Sequence, residues 1–223
     1  MKPGELPDAV DVLEQYANSR PGELELLMLG SLTNLGRLAI RDPEALSKFK
    51  SITFLGTVGG TCEAKANHVV DANVAYDIGA ARELHNLVSI DYVPVDVTST
   101  VLFEADDLDR LAAIDSPIAN MINQSLGVYV DSYLHRYGRR VIRMHDPSAA
   151  AVLAEPQLVD RWRPAVLDLV ETEEREKVRG IVTRPHADVP ADGVLHPGSA
   201  QGRAVSALAV QDLCDELFAR YES

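Results

Sequence analysis

The chain has 223 residues, of which 46% are hydrophobic and 25% charged, and its formal net charge is −13. This composition predicts an ordinary soluble globular protein with enough residues to bury a sizeable core. The acidic balance, with no block of lysine and arginine, argues against binding to nucleic-acid phosphates.

Cysteine usage and hydropathy predict the compartment. The only two cysteines, Cys62 and Cys214, provide no disulfide framework, which fits a reducing environment. No apolar run approaches the roughly 18 residues of a membrane span. The opening stretch "MKPGELPDAV" lacks the apolar core of a signal peptide. We therefore expect a cytoplasmic protein with no membrane partner.

The first two thirds of the chain alternate amphipathic helices with short apolar strands. "DAVDVLEQYANS" places Val10, Leu13 and Ala17 on one stripe, which is typical of a helix. Strands are predicted at "ELELLMLG", "SITFLG" and "VSIDYVPVDVT". Further helices are predicted at "LTNLGRLAIR", about 76–87, "DLDRLAAI", about 117–137 and from 145 onward. This order predicts an α/β fold with a mainly parallel, Rossmann-like sheet flanked by helices.

The pattern changes after Pro156. "AVLDLVET", "VRGIVTRP" and "RAVSALAV" have the character of strands with no helices between them, and "DLCDELFARY" has that of a closing helix. These segments predict an antiparallel C-terminal extension of the sheet. We interpret residues 1–223 as a single domain, with a core at 1–156 and the C-terminal strands and helix at 157–223.

Loops after the predicted parallel strands carry the candidate ligand-binding residues. Ligands of parallel sheets bind beyond the carboxyl ends of the strands. The loops at Gly30, at 56–73 and at Thr98 should therefore share one rim. Gly30 would let the backbone approach a ligand, with Leu29 offering its carbonyl, or it could mark a simple turn capped by Thr33 or Asn34.

The richest of these loops is "KANHVVDAN", which gathers Asn67, His68, Asp71 and Asn73 within seven residues. Amides and carboxylates at this density could bind sugar hydroxyls, because each hydroxyl both donates and accepts hydrogen bonds. The alternative is a polar loop in which Asn73 or Asp77 caps the next helix. Asp96 and Thr98 lie at the end of the next predicted strand. They have the same two interpretations, since they could form a turn or bind a ligand.

The stretch "RMHDPSAAAVLAEP" begins with His145 and Asp146 side by side. Asp146 followed by Pro147 is a typical helix start, with the carboxylate as the cap. The other interpretation is functional. An aspartate is a hard oxygen ligand suited to calcium or magnesium, and a neighbouring histidine can protonate a leaving group near neutral pH.

The ordered set "LGSLTNLGRLAIRDPEAL", "ITFLG", "DANVAYDIGAARE", "VPVDVT" and "HDPSAAAVLAEP" resembles the inosine–uridine-preferring nucleoside hydrolase family. The resemblance covers nearly the whole chain, most closely residues 25–156. It implies hydrolysis of the N-glycosidic bond of purine or pyrimidine ribonucleosides to ribose and a free base. It also implies a calcium ion in the pocket that binds the ribose hydroxyls and orients the attacking water.

The resemblance assigns roles to individual positions. It implies calcium ligation by the Asp146 carboxylate and the Leu29 carbonyl, with His145 as the acid that protonates the departing base. Ribose binding is implied for three polar residues and base binding for two tyrosines: Asn67, Asp71, Asn73, Tyr129 and Tyr133. The family has glutamate, phenylalanine and asparagine where this chain has Asp71, Ala72 and Asn73, and the loop that precedes them differs in length.

One family feature is absent from the printed sequence. The family begins with a strand followed by aspartates in the pattern DxDxxxDD, which supply most of the calcium carboxylates and the general base. No such cluster follows a predicted strand here. We therefore expect that the chain corresponds to the family fold without its N-terminal third, and that alone it binds calcium weakly and hydrolyses little.

The same absence predicts an exposed sheet edge. The family's first strand would pair beside "ELLML", so this strand should lie bare and invite pairing. We expect a homo-oligomer or a partner chain across that edge. The alternative function is a non-catalytic remnant that serves as a binding or assembly subunit.

Overall fold

A computed structural model of the chain describes residues 6–57, 71–84, 87–171, 178–185 and 201–222. The strands are β1 (Glu25–Met28), β2 (Ser51–Leu55), β3 (Asp91–Val93), β4 (Leu102–Phe103), β5 (Ile142–Arg143), β6 (Arg161–Glu171), β7 (Val178–Pro185) and β8 (Gln201–Ala207). The helices are α1 (Ala9–Ser19), α2 (Thr33–Arg41), α3 (Pro43–Leu46), α4 (Ala72–Ala75), α5 (Ile78–Leu84), α6 (Val95–Thr98), α7 (Ala105–Ala113), α8 (Pro117–Tyr137), α9 (His145–Ala154) and α10 (Val210–Glu222), with a short 3-10 helix at Pro156–Leu158.

Six of these strands form one mixed sheet in the order β1-β2-β3-β8-β6-β7. The neighbours from β1 through β3 to β8 are parallel, whereas β6 is antiparallel to both β8 and β7. The predicted α/β class, with a parallel core and an antiparallel C-terminal extension, is confirmed. Strand β1 lies at one edge of this sheet.

Helices cover both faces of the sheet, because alternate residues of a strand point to opposite sides. Phe54 of β2 and Tyr92 of β3 join a buried cluster with α1, α2, α3 and α5. The residues that follow them, Leu55 and Val93, join a second cluster with α7, α9 and α10. Strands β2 and β3 are therefore buried on both faces, whereas the edge strand β1 is only partly buried.

One helix contact is unusually close. Helices α2 and α5 pack together where Gly36 meets Ala80, and a Cβ atom on Gly36 would lie 2.6 Å from the Ala80 Cβ. This contact holds α5, and the short helix α4 before it, against the sheet. It fixes the position of the polar residues at the start of α4.

Several predicted boundaries were wrong. The predicted strand at 88–98 is only three residues long, because Pro94 ends it and begins the helical turn α6. Asp96 and Thr98 therefore lie on a helix and not at a strand end. The predicted helix at 76–87 corresponds to the shorter α5, and the separate short helix α4 precedes it. The two-residue strands β4 and β5 had no signal in the sequence.

The long helix α8 has the predicted bounds. Ser116 caps it by accepting a hydrogen bond from the Ala119 N–H at 3.1 Å, Pro117 occupies its first turn, and Gly138 ends it with a left-handed φ of 70°. Only Ala119 of this helix is fully buried. In the described part of the chain, no helix combines the length and apolarity needed to cross a bilayer.

Candidate active site

The carboxyl ends of β1 and β2 are tied together by one side chain. The Nδ2 amide of Asn73 donates to the Leu55 carbonyl at 2.9 Å and to the Leu29 carbonyl at 3.2 Å. Leu29 follows β1 and Leu55 ends β2, so the predicted common rim is present at these two strands. Asn73 does not cap a helix, and the capping alternative for this residue is wrong.

Asp71 organises the loop that carries Asn73. Its side chain is 2% exposed and caps α4, accepting hydrogen bonds from the backbone N–H groups of Asn73, at 2.9 Å, and of Thr57. Burial raises the pKa of this carboxyl group, against the lowering effect of the backbone hydrogen bonds. Both carboxylate oxygens are thus engaged with the backbone. Asn67 and His68 lie outside the described residues.

The turn after β2 requires a glycine and strains the residue after it. A Cβ atom on Gly56 would overlap the Phe54 ring and the Asp71 carboxylate. Thr57 has a φ of 79°, a region that disfavours β-branched residues. Its carbonyl accepts from the Val95 N–H at 3.0 Å, which connects the end of β2 to α6. Strain of this kind, held by hydrogen bonds on both sides, is common at functional sites.

His145 is held by a side chain from the same rim. The hydroxyl of the fully buried Thr98, at the end of α6, lies 2.7 Å from Nδ1 of His145. A chain of contacts therefore runs from Asn73 through Asp71, Thr57 and α6 to His145. This chain of contacts links Asp71 and Asn73, the two residues of the amide-rich loop that the structure describes, to His145.

The cap interpretation of Asp146 is wrong. Helix α9 begins at His145, its N-cap is Met144, and no side chain makes the capping hydrogen bond. Asp146 lies in the first turn of the helix, with its side chain at the wall of a pocket. Desolvation there raises the pKa of Asp146. Similarly, Leu32 and not Thr33 or Asn34 is the N-cap of α2, again without a side-chain capping bond.

The pocket beside His145 has a volume of about 420 Å³, within the range of small-molecule sites. Its walls are contributed by α7, α8, β5, α9 and α10. They consist of Leu111, Ile122, Leu126, Tyr129, Ile142, Arg143, Met144, His145, Asp146, Pro147 and Tyr221. Mostly apolar walls with a few convergent polar groups are typical of a site for a flat ring.

Two electrostatic effects act on His145. Burial lowers the pKa of its imidazole, and the nearby positive charge of Arg143 lowers it further. The neutral ring therefore predominates at pH 7. Since Thr98 occupies Nδ1, the other ring nitrogen is the one left for a ligand in the pocket.

The two predicted base-side tyrosines are adjacent. Tyr129 and Tyr133 stand one turn apart on α8, with ring centroids 4.8 Å apart and hydroxyls 3.2 Å apart. Tyr129 lines the pocket, and burial together with the Tyr133 hydroxyl raises its pKa. Tyr133 contacts Tyr129 and does not itself line the pocket.

Sequence reasoning missed several parts of the site. Thr57 and Arg143 lie close to recognised motifs but carry no signal of their own, because a lone threonine or arginine beside a strand is common. Tyr221 comes from the closing helix α10, and only the fold brings it to the pocket. The role of Thr98 depended on knowing that α6 faces α9.

The described residues do not fit a calcium ion by themselves. Within the described ranges, no three histidine, cysteine, aspartate or glutamate side chains cluster as metal ligands. The candidates named from the sequence supply one carboxylate, Asp146, and one carbonyl, Leu29, which already accepts the Asn73 amide. Calcium takes six to eight oxygen ligands.

The family is shown by comparison with known proteins. The sequence profile of the inosine-uridine preferring nucleoside hydrolases matches residues 2–213. The chain is 31% identical over 149 residues to a probable uridine nucleosidase 2 of Arabidopsis thaliana, covering 66% of this chain and 46% of that protein. It is 24% identical over 172 residues to the inosine-uridine preferring nucleoside hydrolase of Crithidia fasciculata, covering 74% and 54%. The chain thus spans about half the length of these curated relatives.

Solved structures share the fold. A plant nucleoside hydrolase, PpNRh1, superposes with a TM-score of 0.88 at 22% identity, covering 100% of this chain and 69% of that one. The purine-preferring ribonucleoside hydrolase from Gardnerella vaginalis gives 0.78 at 18% identity, covering 98% and 66%. The profile match, the sequence relatives and the fold agree: this chain belongs to the inosine-uridine preferring nucleoside hydrolase family.

Proposed function

We propose that this chain binds ribonucleosides at the rim of β1–β3 and takes part in hydrolysis of their N-glycosidic bond. The observation that carries the proposal is the 2.7 Å contact between Thr98 and His145, which fixes an imidazole at the wall of a ring-sized pocket. Family membership supplies the reaction class. The base would lie in the pocket beside Tyr129, and the ribose at the Asn73 side of the rim.

His145 would donate a proton to the departing base. Breaking a glycosidic bond develops positive charge on the sugar and negative charge on the base, so a proton donor beside the base favours departure. If the Thr98 hydroxyl donates to Nδ1, the hydrogen of the neutral ring resides on Nε2. That tautomer presents an N–H hydrogen-bond donor to the leaving group, and transfer of a proton to the base would use the imidazolium form of His145, which returns to the neutral ring.

Asn73 and Asp71 would act together toward the ribose. Both hydrogens of the Asn73 amide are committed to the Leu29 and Leu55 carbonyls, so Oδ1 is the atom with which Asn73 would accept a ribose hydroxyl. Asp71 would position Asn73 and the turn at Thr57 through the backbone. In this assignment the Asp71 carboxylate supports the ribose subsite from behind.

Hydrolysis also needs a group that activates water, and the described residues supply no complete set. We therefore propose that turnover by this chain alone is slow, and that carboxylates outside the described residues complete the site. Strand β1, which has no partner on its outer side among the described strands, suggests how these carboxylates could be supplied. An added strand from a second copy or a partner chain would pair there, next to Leu29.

The same observations favour a second candidate, a subunit that binds nucleosides without cleaving them. The two candidates are separated by incubating the purified chain with inosine or uridine, with and without calcium, and measuring base release and binding. Base release that is lost in His145→Gln supports the hydrolase. Binding without release supports the subunit, and the absence of both refutes the proposed site.

Pairing of chains across the β1 edge is tested separately, by measuring the molar mass of the purified chain by light scattering over a range of concentrations. A mass that rises above that of a 24.3 kDa monomer supports a self-associating edge. A strictly monomeric chain that still releases base refutes the need for a second chain.

A further inference from the structure

The pocket wall contains a positive charge that the proposed reaction does not use. Arg143 is the second residue of β5, opposite Leu102 in the β4–β5 pair, and its half-buried side chain lines the pocket together with His145 and Tyr129. Most other wall residues are apolar. A guanidinium in such surroundings gives up part of its hydration, which is unfavourable unless another group takes the place of water.

The contacts of Arg143 leave most of its donors unused. Its Nη1 lies 3.5 Å from the Ser99 hydroxyl, and its Cζ lies 5.3 Å from the centre of the Tyr137 ring. Among the residues that the structure describes, no carboxylate forms an ion pair with it. Its neighbours Arg139 and Arg140 differ, since they pair with Glu104 at 3.1 Å and with Asp109 at 2.6 Å. A guanidinium carries five N–H donors in a planar fork.

The acid in the same pocket does not neutralise this charge. Asp146 also lines the pocket, but no hydrogen bond or ion pair within the described residues joins it to Arg143. The pKa of Tyr129 responds to both groups, because the charge of Asp146 raises it and the charge of Arg143 lowers it. The pocket therefore presents a separate positive charge that is available to a ligand.

Building on the proposed function, we propose that Arg143 is a specificity-determining residue that binds the base of the ribonucleoside through an anionic, two-acceptor edge. A planar ring that has lost a proton offers adjacent oxygen and nitrogen acceptors, which match the guanidinium fork. A dioxopurine such as xanthine, whose ring loses a proton near neutral pH, has this chemistry. A neutral base can also accept hydrogen bonds from the Arg143 guanidinium, but its acceptor atoms carry no negative charge.

A phosphate on the ribose is the other possible source of negative charge. The position of Arg143 favours the base, because it shares the pocket with Tyr129 and His145, the groups placed around the leaving base. The ribose side of the proposed site lies at Asn73, where Leu29 and Leu55 provide carbonyl acceptors and no cation. The experiment therefore includes a phosphorylated ligand as a separate arm.

The test is calorimetric binding at about pH 7.5 of three ligands to the full chain: xanthosine, inosine and inosine 5′-monophosphate. Xanthosine and inosine differ in the dioxo ring alone, and the third ligand adds a phosphate to the neutral base. The variants are Arg143→Gln, which removes the charge, and Arg143→Lys, which keeps it without the planar fork. Arg139→Gln removes an equivalent charge outside the pocket and serves as the matched control.

We expect the wild-type chain and Arg139→Gln to bind xanthosine about 10- to 100-fold more tightly than inosine, as for a charge-assisted pair. Arg143→Gln should lose this ratio, because xanthosine affinity falls much more than inosine affinity, and Arg143→Lys should retain part of the ratio. If Arg143→Gln does not fold, the partial loss in Arg143→Lys decides the question.

Other outcomes overturn the assignment. A ratio near one in the wild-type chain, or a ratio that survives in Arg143→Gln, contradicts a role for Arg143 in base recognition while leaving the proposed function intact. If inosine 5′-monophosphate binds more tightly than inosine, and Arg143→Gln abolishes that difference, Arg143 binds the phosphate. That result refutes the assignment of Arg143 to the base. If the wild-type chain binds no ribonucleoside, the proposed function itself fails.

Discussion

Thr98 Oγ1 lies 2.7 Å from Nδ1 of His145, and this contact joins the carboxyl end of the parallel sheet to the first turn of α9. Thr98 is fully buried at the end of α6, and its hydroxyl also lies 3.4 Å from the Val95 carbonyl oxygen. The orientation of the His145 ring is thereby fixed. A ligand in the adjacent pocket meets only its second nitrogen.

Replacing Thr98 with valine tests this relationship. Valine keeps the shape of threonine but cannot hydrogen-bond Nδ1, so the imidazole loses its fixed orientation. We expect base release to fall about 10-fold or more, within the range attributed to positioned acids. Nucleoside affinity should change less than about threefold, because His145 acts mainly on the departing base. Thr98→Ser retains the hydroxyl and should restore most of the rate, whereas equal rates for all three chains would contradict the positioning role.

Asp71→Asn should destabilise the fold. An amide can accept only through its single oxygen, so one of the two backbone N–H groups, of Thr57 or of Asn73, loses its acceptor in a buried place. We expect the free energy of unfolding in urea to fall by about 1–3 kcal/mol. Asp109→Asn, at an exposed ion pair with Arg140, is the matched control and should produce a much smaller change. Equal losses in the two variants would show that the Asp71 hydrogen bonds contribute little.

The raised pKa of Asp71 also predicts a pH dependence. The folded chain holds this proton more tightly than the unfolded chain, whose carboxyl has the ordinary pKa of 3.8. The stabilisation from this group is therefore full below that value and is lost as pH rises through the folded pKa. The stability advantage of the wild-type chain over Asp71→Asn should shrink between about pH 4 and neutrality, as measured by urea unfolding at successive pH values. An advantage that grows with pH would show that the folded pKa is lowered instead.

Thr57→Gly should stabilise the fold. Glycine adopts the φ of 79° without strain, and both backbone hydrogen bonds of this residue remain. Little is lost with the side chain, because the buried Oγ1 has no hydrogen-bond partner among the described residues. We expect a gain of about 0.5–1 kcal/mol, measured as a higher Tm. Thr53→Gly, in the preceding strand β2 with ordinary backbone geometry, should lower the Tm. A lower Tm for both variants would refute strain at Thr57.

The sequence predicted the parts of the fold that depend on local pattern. Helix α8 was predicted with its ends, because Ser116-Pro117 and Gly138 are strong start and stop signals. The antiparallel extension was predicted from strand-like runs without helices between them. The failures had local causes: Pro94 converts the end of a predicted strand into a helical turn, and β4 and β5 are too short to show a period.

The candidate site was predicted less completely. Asn73, His145 and Asp146 were found because polar residues at strand and helix ends stand out against apolar neighbours. Their contacts could not be predicted, since Asn73 meets Leu29 across 44 positions of sequence and Thr98 meets His145 across 47. The cap alternative at Asp146 could be rejected only when the start of α9 was known.

By itself, the sequence determined the family, the order of strands and helices, and the polar residues that end them, because these follow from residue type and spacing along the chain. Only the tertiary structure decided which of those residues meet. It buried Asp71 behind Asn73, turned Thr98 toward His145, and placed in the pocket wall Arg143, which has no carboxylate partner among the described residues. Contacts of this kind depend on how helices pack on a twisted sheet, and that packing is a property of the whole fold and not of any local stretch.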